Sequence, residues 1–379
     1  MSGQAITETR ILPVDRPFRF ESGRTLERID IAYETYGCLN ERRDNAILIE
    51  HALSGDAHAA FYHEGDKKPG WWDCMIGPGK AFDTDRYFVI CSNVIGGCKG
   101  TTGPASIDPA TGSPYGLTFP TLTIRDMVEV QRILLKHLGI DRLKCIAGGS
   151  MGGMQTLQFF CDYPSQFESF ICIASAMKHS AQQIAFNEVG RRAIMADPRW
   201  NNGNYYGDIS PEGGLSVARM IGHITYISEK MMQEKFGRIR KDKDSKAIFK
   251  PSFEVEHYLD YQGVSFVKRF DANSYLYITD AIDNFDLMAS ISSKERFRGQ
   301  GRDRGVNFSD LRTKKGLVIS FSSDWLYPSS QSKEIVRLFS ALNVQVSYTD
   351  ITTEHGHDAF LTDYRRPSEL IRGFLSSLG

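Results

Sequence analysis

The chain has 379 residues, a formal net charge of -1, 41% hydrophobic and 24% charged residues. That balance supports a packed core and excludes a disordered chain, and a near-neutral charge supplies no field to gather nucleic acid or an anionic membrane. The length suits one large α/β domain carrying an insertion and does not require two tandem domains.

In chain order, "MSGQAITETRILPVD" has no basic segment followed by an apolar one, and no later run reaches membrane-spanning length. Seven cysteines include no CxxC pair and several lie in apolar runs such as "FVICSN". Both features point to reduced thiols in a cytoplasmic protein. "NAILIEH" (45–51), "RYFVICSN" (86–93), "LKCIAGG" (143–149) and "FESFICIAS" (167–175) are apolar on both faces, as buried strands are. Between the second and third, "TIRDMVEVQRILLKHLG" carries a helical apolar stripe closed by Gly139. The strand-helix-strand rhythm predicts a mostly parallel sheet with helices on both faces.

The rhythm stops near Ala176, and residues 176–308 read as a helical lid inserted into a core made of 1–175 and 309–379. "LSVARMIGHITYIS" and "NSYLYITDAIDNFDLM" are helix-like pieces of the insertion, and the basic run "KFGRIRKDKDSK" (235–246) reads as a solvated face or loop. Strand character returns in "GLVISFSSDW" (316–325) and "VQVSYTDI" (344–351), each followed by a helical pattern.

Between the third strand and the helix "MQTLQFFCDYP", the chain reads "AGGSMGG". Gly148-Gly-Ser-Met-Gly152 is a G-x-S-x-G turn, in which missing Cβ atoms let strand and helix approach while Ser150 takes a strained conformation. A serine hydroxyl needs a base, and the base needs an orienting acid. Asp324 directly follows "LVISFSS", and His357 follows the last strand within "EHGHDAF"; both fall at C-terminal strand ends. Spacing alone leaves His355 open as the base, while Asp350, the rival acid, reads as a turn residue. The backbone N–H groups of Met151 and Leu53, the latter in "IEHALSGDAHA", are the candidate oxyanion donors. His51 and His58 in the same loop have no assigned role. "NVIGGCKGTTGP" (93–104) lacks the order of a phosphate loop and reads as a glycine-rich turn. No residue set has metal-ligand spacing, and none is expected to be needed.

Taken together, "HALSGDAHA", "GGSMGGMQ", "ARMIGHITY" and "EHGHDAFL" resemble the homoserine O-acyltransferase family of the α/β-hydrolase fold, over nearly the whole chain. The resemblance implies transfer of an acetyl group from acetyl-CoA, a co-substrate, to L-homoserine in methionine synthesis, with no bound cofactor and a homodimer joined through the insertion. It also implies that Arg219 binds the homoserine carboxylate and Asp358 the amino group, with Tyr226 lining the pocket. Succinyl-using relatives resemble one another in placing Arg two residues past the triad aspartate. Here Leu326 stands there and offers no counter-charge, which favours acetyl. Succinyl transfer, serine as acceptor, a hydrolase with the same triad, and a silent scaffold are the alternatives.

Overall fold

The computed structural model describes residues 5–207, 209–241, 251–296 and 311–379. Its centre is a sheet of eight strands: β1 (Arg10–Val14), β2 (Ile29–Tyr36), β3 (Ala46–Glu50), β4 (Phe88–Ser92), β5 (Leu143–Gly149), β6 (Phe167–Ile173), β7 (Lys315–Phe321) and β8 (Gln345–Ile351). Spatial order is β1-β2-β4-β3-β5-β6-β7-β8, antiparallel at β1-β2 and β2-β4 and parallel from β4 to β8. Strands apolar on both faces take the middle: every residue of β3 is buried, whereas β8 at the edge alternates between exposed and half-buried. The chain leaves β3 toward β4 on one side and later returns on the other as β5. The loops after β3 and β5 therefore diverge at a switch point, where open α/β sheets leave a crevice.

Helices cover both faces. Thr123 caps α1 (Ile124–His137) in a capping box with Asp126, and Gly139 at φ 68° turns the chain away beyond its end. α2 (Met151–Asp162) is buried at every position against β5 and β6. α9 (Ser329–Ala341) and α10 (Arg365–Ser376) complete the cover.

Between β6 and β7 lie α3 (Ala181–Ala196), α4 (Glu212–Tyr226), α5 (Glu229–Phe236), α6 (Glu254–Val267), α7 (Ala272–Asp283) and α8 (Leu287–Arg296). α4 packs between α3 and α6. "NSYLYITDAIDNFDLM" is not one helix: α7 stops at Asp283, Asn284 closes it, and the Leu287 N–H turns to the Met177 carbonyl at 2.9 Å. Lys235, in the last turn of α5, stands over the rings of Phe236 and Tyr258. Residues 242–246 of the basic run, and position 308, lie outside the described residues. Asp350 is a strand residue rather than a turn residue, opposite Ser320 in the β7-β8 register. No helix among the described residues is long and apolar enough to cross a membrane.

Candidate active site

The glycines beside Ser150 stand where backbone crowds backbone. A Cβ on Gly152 would lie 2.0 Å from the Glu50 carbonyl oxygen, and one on Gly148 would lie 2.3 Å from the Gly152 oxygen. α2 can therefore start directly against β3 only because these side chains are absent. Ser150 takes φ 58° and ψ -122°, a strained setting for a non-glycine residue that aims its side chain out of the turn. Its N–H donates to the Ile173 carbonyl at 2.9 Å, and its carbonyl accepts from Ser175 Oγ at 2.8 Å. Under the turn, Glu50 is buried and burial pushes its carboxyl well above the usual range; the Gln131 amide donates to it.

His357 Nε2 lies 2.9 Å from Ser150 Oγ, and His357 Nδ1 lies 2.7 Å from Asp324 Oδ2. With Nδ1–H donating to the carboxylate, Nε2 carries the lone pair that accepts the serine proton. Asp324 Oδ1 accepts the N–H groups of Leu326 at 3.0 Å and Tyr327 at 2.8 Å, so the loop after β7 fixes the acid in place. Burial alone would push His357 down, yet the Asp324 charge and hydrogen bond carry it above its ordinary value. His355 faces elsewhere, with Nδ1 2.9 Å from Thr362 Oγ1. Asp350 accepts from Ser320 Oγ and Ser329 Oγ, remote from the imidazole pair.

Ser150 opens on a narrow cavity of about 50 Å³ shared by Leu53, Gln183, Tyr226, Leu326 and Tyr327. No Lys or Arg lines it. The N–H groups of Leu53 and Met151 have no acceptor among the described residues, as donors awaiting an oxyanion would. His51 is buried; its Nε2 accepts the Val94 N–H at 3.1 Å and its Nδ1 faces the Ala52 carbonyl at 2.8 Å. It therefore pins the glycine-rich turn to the loop after β3, and burial holds its pKa down.

Arg219 and Asp358 do not line this cavity. Tyr226, which does line it, has its ring centroid 5.5 Å from the Arg219 guanidinium and 6.0 Å from the His357 ring. Burial pushes the Asp358 carboxyl up while His357 and Arg219 pull against it. Arg269, which no motif marks, joins Arg219: both guanidiniums stand over the Phe266 ring and both reach Ser54, at its carbonyl (3.0 Å) and Oγ (3.4 Å) respectively. Neither arginine has an ion-pair partner among the described residues. Tyr327 was likewise unmarked. Its ring stacks on His357 at 4.9 Å, and its OH meets His179 Nε2 at 2.5 Å, whose Nδ1 pairs with Asp283 at 2.7 Å.

A profile of the α/β-hydrolase fold family matches residues 45–364. A homoserine O-acetyltransferase of Methanosalsum zhilinae is 52% identical over 374 residues, covering 98% of this chain and 74% of the relative. One of Solidesulfovibrio magneticus is 54% identical over 368 residues, covering 96% and 90%. Among solved structures, the homoserine O-acetyltransferase of Bacillus anthracis superposes with a TM-score of 0.87 at 30% identity, covering 98% of each chain. Esterase E22 superposes at 0.85, also at 30% identity, over 98% of this chain and 100% of that one.

Two outcomes follow from the geometry. Gly152→Ala should lose roughly 3 kcal/mol or more of stability in urea unfolding, because a Cβ cannot stand beside the Glu50 carbonyl. Asp324→Asn should cut p-nitrophenyl acetate turnover by ~10⁴-fold. It should also move the acid limb of the kcat/KM profile to lower pH, since the carboxylate is what raises His357. An unmoved limb would contradict that assignment.

Proposed function

The chain belongs to the homoserine O-acetyltransferase family within the α/β-hydrolase fold, and from that premise we propose that it transfers an acetyl group from acetyl-CoA to the side-chain hydroxyl of L-homoserine. His357 takes the proton of Ser150 Oγ as that oxygen attacks the thioester carbonyl. The oxyanion is received by the N–H groups of Leu53 and Met151, and the imidazolium returns its proton to the departing CoA thiolate. Homoserine then enters, His357 takes its hydroxyl proton, and the new alkoxide attacks the acetyl-serine; collapse frees O-acetylhomoserine and restores Ser150. Asp324 holds the useful tautomer and stabilises the imidazolium.

The observation that carries transfer rather than hydrolysis is the arginine with no counter-ion. A guanidinium with no ion-pair partner near the triad suits a planar carboxylate, and Asp358, next to His357 in the chain, offers an acceptor to an ammonium group. Together they grip an amino acid acceptor in place of water. Leu326 and a cavity lining free of Lys and Arg favour acetyl over a donor with a distal carboxylate. Residues 176–308 serve as a lid over this site in the same reading. Exposed apolar side chains on α3, α4 and α6, among them Val189, Val217, Tyr261 and Val264, support a homodimer formed through it. The protein acts in the cytoplasm, with no resident cofactor.

Acetyl-CoA alone should release about one equivalent of thiol per chain in a burst and leave acetyl on Ser150, after which homoserine restores turnover. Steady release that homoserine does not accelerate would establish a hydrolase instead, the activity named for esterase E22. Arg219→Lys should raise the homoserine KM by ~10-fold or more and leave the acetyl-CoA KM unchanged. Val217→Asp should shift the sedimentation coefficient toward that of a monomer.

A further inference from the structure

A carboxylate taken fully out of water has to be surrounded by donors, and Glu34 on β2 is such a group. Its Oε1 accepts from Thr9 Oγ1 at 2.8 Å and lies 2.8 Å from His63 Nε2. Its Oε2 accepts from the Tyr36 OH at 2.8 Å and lies 3.1 Å from His58 Nδ1. Each oxygen thus has two partners, and both imidazoles turn an N–H toward Glu34. This sets their tautomers. In the neutral rings the remaining nitrogens, His58 Nε2 and His63 Nδ1, each present a lone pair.

Those two nitrogens face the same atom. Asp66 Oδ2 lies 3.8 Å from His58 Nε2 and 3.7 Å from His63 Nδ1, too far for a hydrogen bond in either case. His58 Nε2 is buried and has no hydrogen-bond partner. The rings overlap, with centroids 3.8 Å apart and planes 31° from parallel. Two ligands of one zinc ion, bonded at about 2.1 Å in tetrahedral geometry, stand ~3.4 Å apart. The two nitrogen–oxygen separations need to close by only a few tenths of an ångström.

We propose that His58, His63 and Asp66 bind one divalent transition-metal ion of the zinc class, with Glu34 behind the two imidazoles as their orienting acceptor. Among the described residues, Glu34, His58 and His63 have ligand atoms grouped closely enough to surround one ion, and Asp66 approaches both histidines from their other side. Glu34 serves as the orienting group because its oxygens are already saturated, whereas the Asp66 end has an unpaired nitrogen and a half-exposed carboxylate that leaves water a fourth position. A carboxylate behind each ligating histidine fixes the ring and raises its basicity. Two carboxylates and two neutral imidazoles carry a charge that a divalent cation offsets.

None of these residues lines the cavity at Ser150, so the ion is a brace rather than a catalyst. It ties the loop 56–66 to β2, and the same loop begins with Leu53 and Ser54. Tyr36 extends the brace, since its oxygen accepts the N–H groups of Ala59 at 2.8 Å and Ala60 at 3.1 Å. The orienting group could not be found from spacing, because Glu34 comes from a strand far upstream of the three ligands. The inference is independent of the acyl-transfer reading.

The test uses the full chain, stripped with chelator, dialysed and titrated with Co²⁺ and then Zn²⁺. The expected result is one Co²⁺ per chain with the visible bands of a low-coordinate site, displaced by Zn²⁺, and a rise in melting temperature with either ion. His63→Ala and Asp66→Ala should abolish the bands and the rise, while Glu34→Gln should keep the stoichiometry and weaken binding by ~10–100-fold. Far-UV circular dichroism identifies a misfolded variant, in which case half-exposed Asp66 decides. Ser150→Ala should bind as wild type does. Failure of the wild-type chain to take up stoichiometric Co²⁺ would overturn the proposal and leave an ion-paired cluster of protonated histidines. Uptake unchanged in both His63→Ala and Asp66→Ala would overturn it equally.

Discussion

The close approach of two backbones at Gly152 and the Glu50 carbonyl is the constraint on which the rest of the site depends. It brings the start of α2 against β3, which in turn forces Ser150 into a positive-φ turn at the end of β5. From that position the hydroxyl points into the crevice where the sheet reverses direction, and the N–H of Met151 is left free at the helix entrance. A looser turn would place the same residues without the aim, and an imidazole arriving from beyond β8 would have nothing to meet at 2.9 Å.

Two buried carboxyls within this region show how the surroundings divide their duties. Asp324 receives two backbone N–H groups and the His357 ring, donors suited to a charged acid that steadies an imidazolium. Glu50, with the Gln131 amide as its neighbour, is pushed toward its neutral form and behaves as a polar filler beneath the turn. The positive side of the balance lies outside the cavity, where Arg219 and Arg269 share the face of Phe266. Like charges held together with no ion-pair partner among the described residues lower the cost of receiving an anion there.

Much of this was legible in the sequence, for a physical reason. The central strands are apolar on both faces and short, and the helices between them carry a single stripe, so the parallel core could be read directly. Ser150 lies in a local motif, and Asp324 and His357 each follow a strand at once, so topology did the work of a distance measurement. β2 went unread because Asp30 and Glu34 interrupt its apolar run, and helices α3 and α6 because their mixed burial leaves no clean period. Arg269, Tyr327, His179 and Glu34 went unread for another reason: each acts through partners brought near by tertiary packing, with no spacing along the chain to betray them. Asp350 was read as a turn residue although it stands in the run 344–351 read as a strand, because a polar residue so near a strand's end is as well suited to the turn that follows.

Tyr327 joins two parts of the molecule that are otherwise separate in sequence. Its ring lies on the catalytic imidazole, and its hydroxyl belongs to a chain through His179 to Asp283 on α7, with Gln183 of α3 holding the Leu326 carbonyl alongside. Drawing those helices away would strip a buried phenol of its partner, at about 1–3 kcal/mol. By Boltzmann weight such an opened form would occupy only roughly 1–15% of molecules. The seat of the His357 ring is thereby linked to a hydrogen bond made on the helices between β6 and β7. The base that faces Ser150 is held partly from those helices, at a distance from the serine itself.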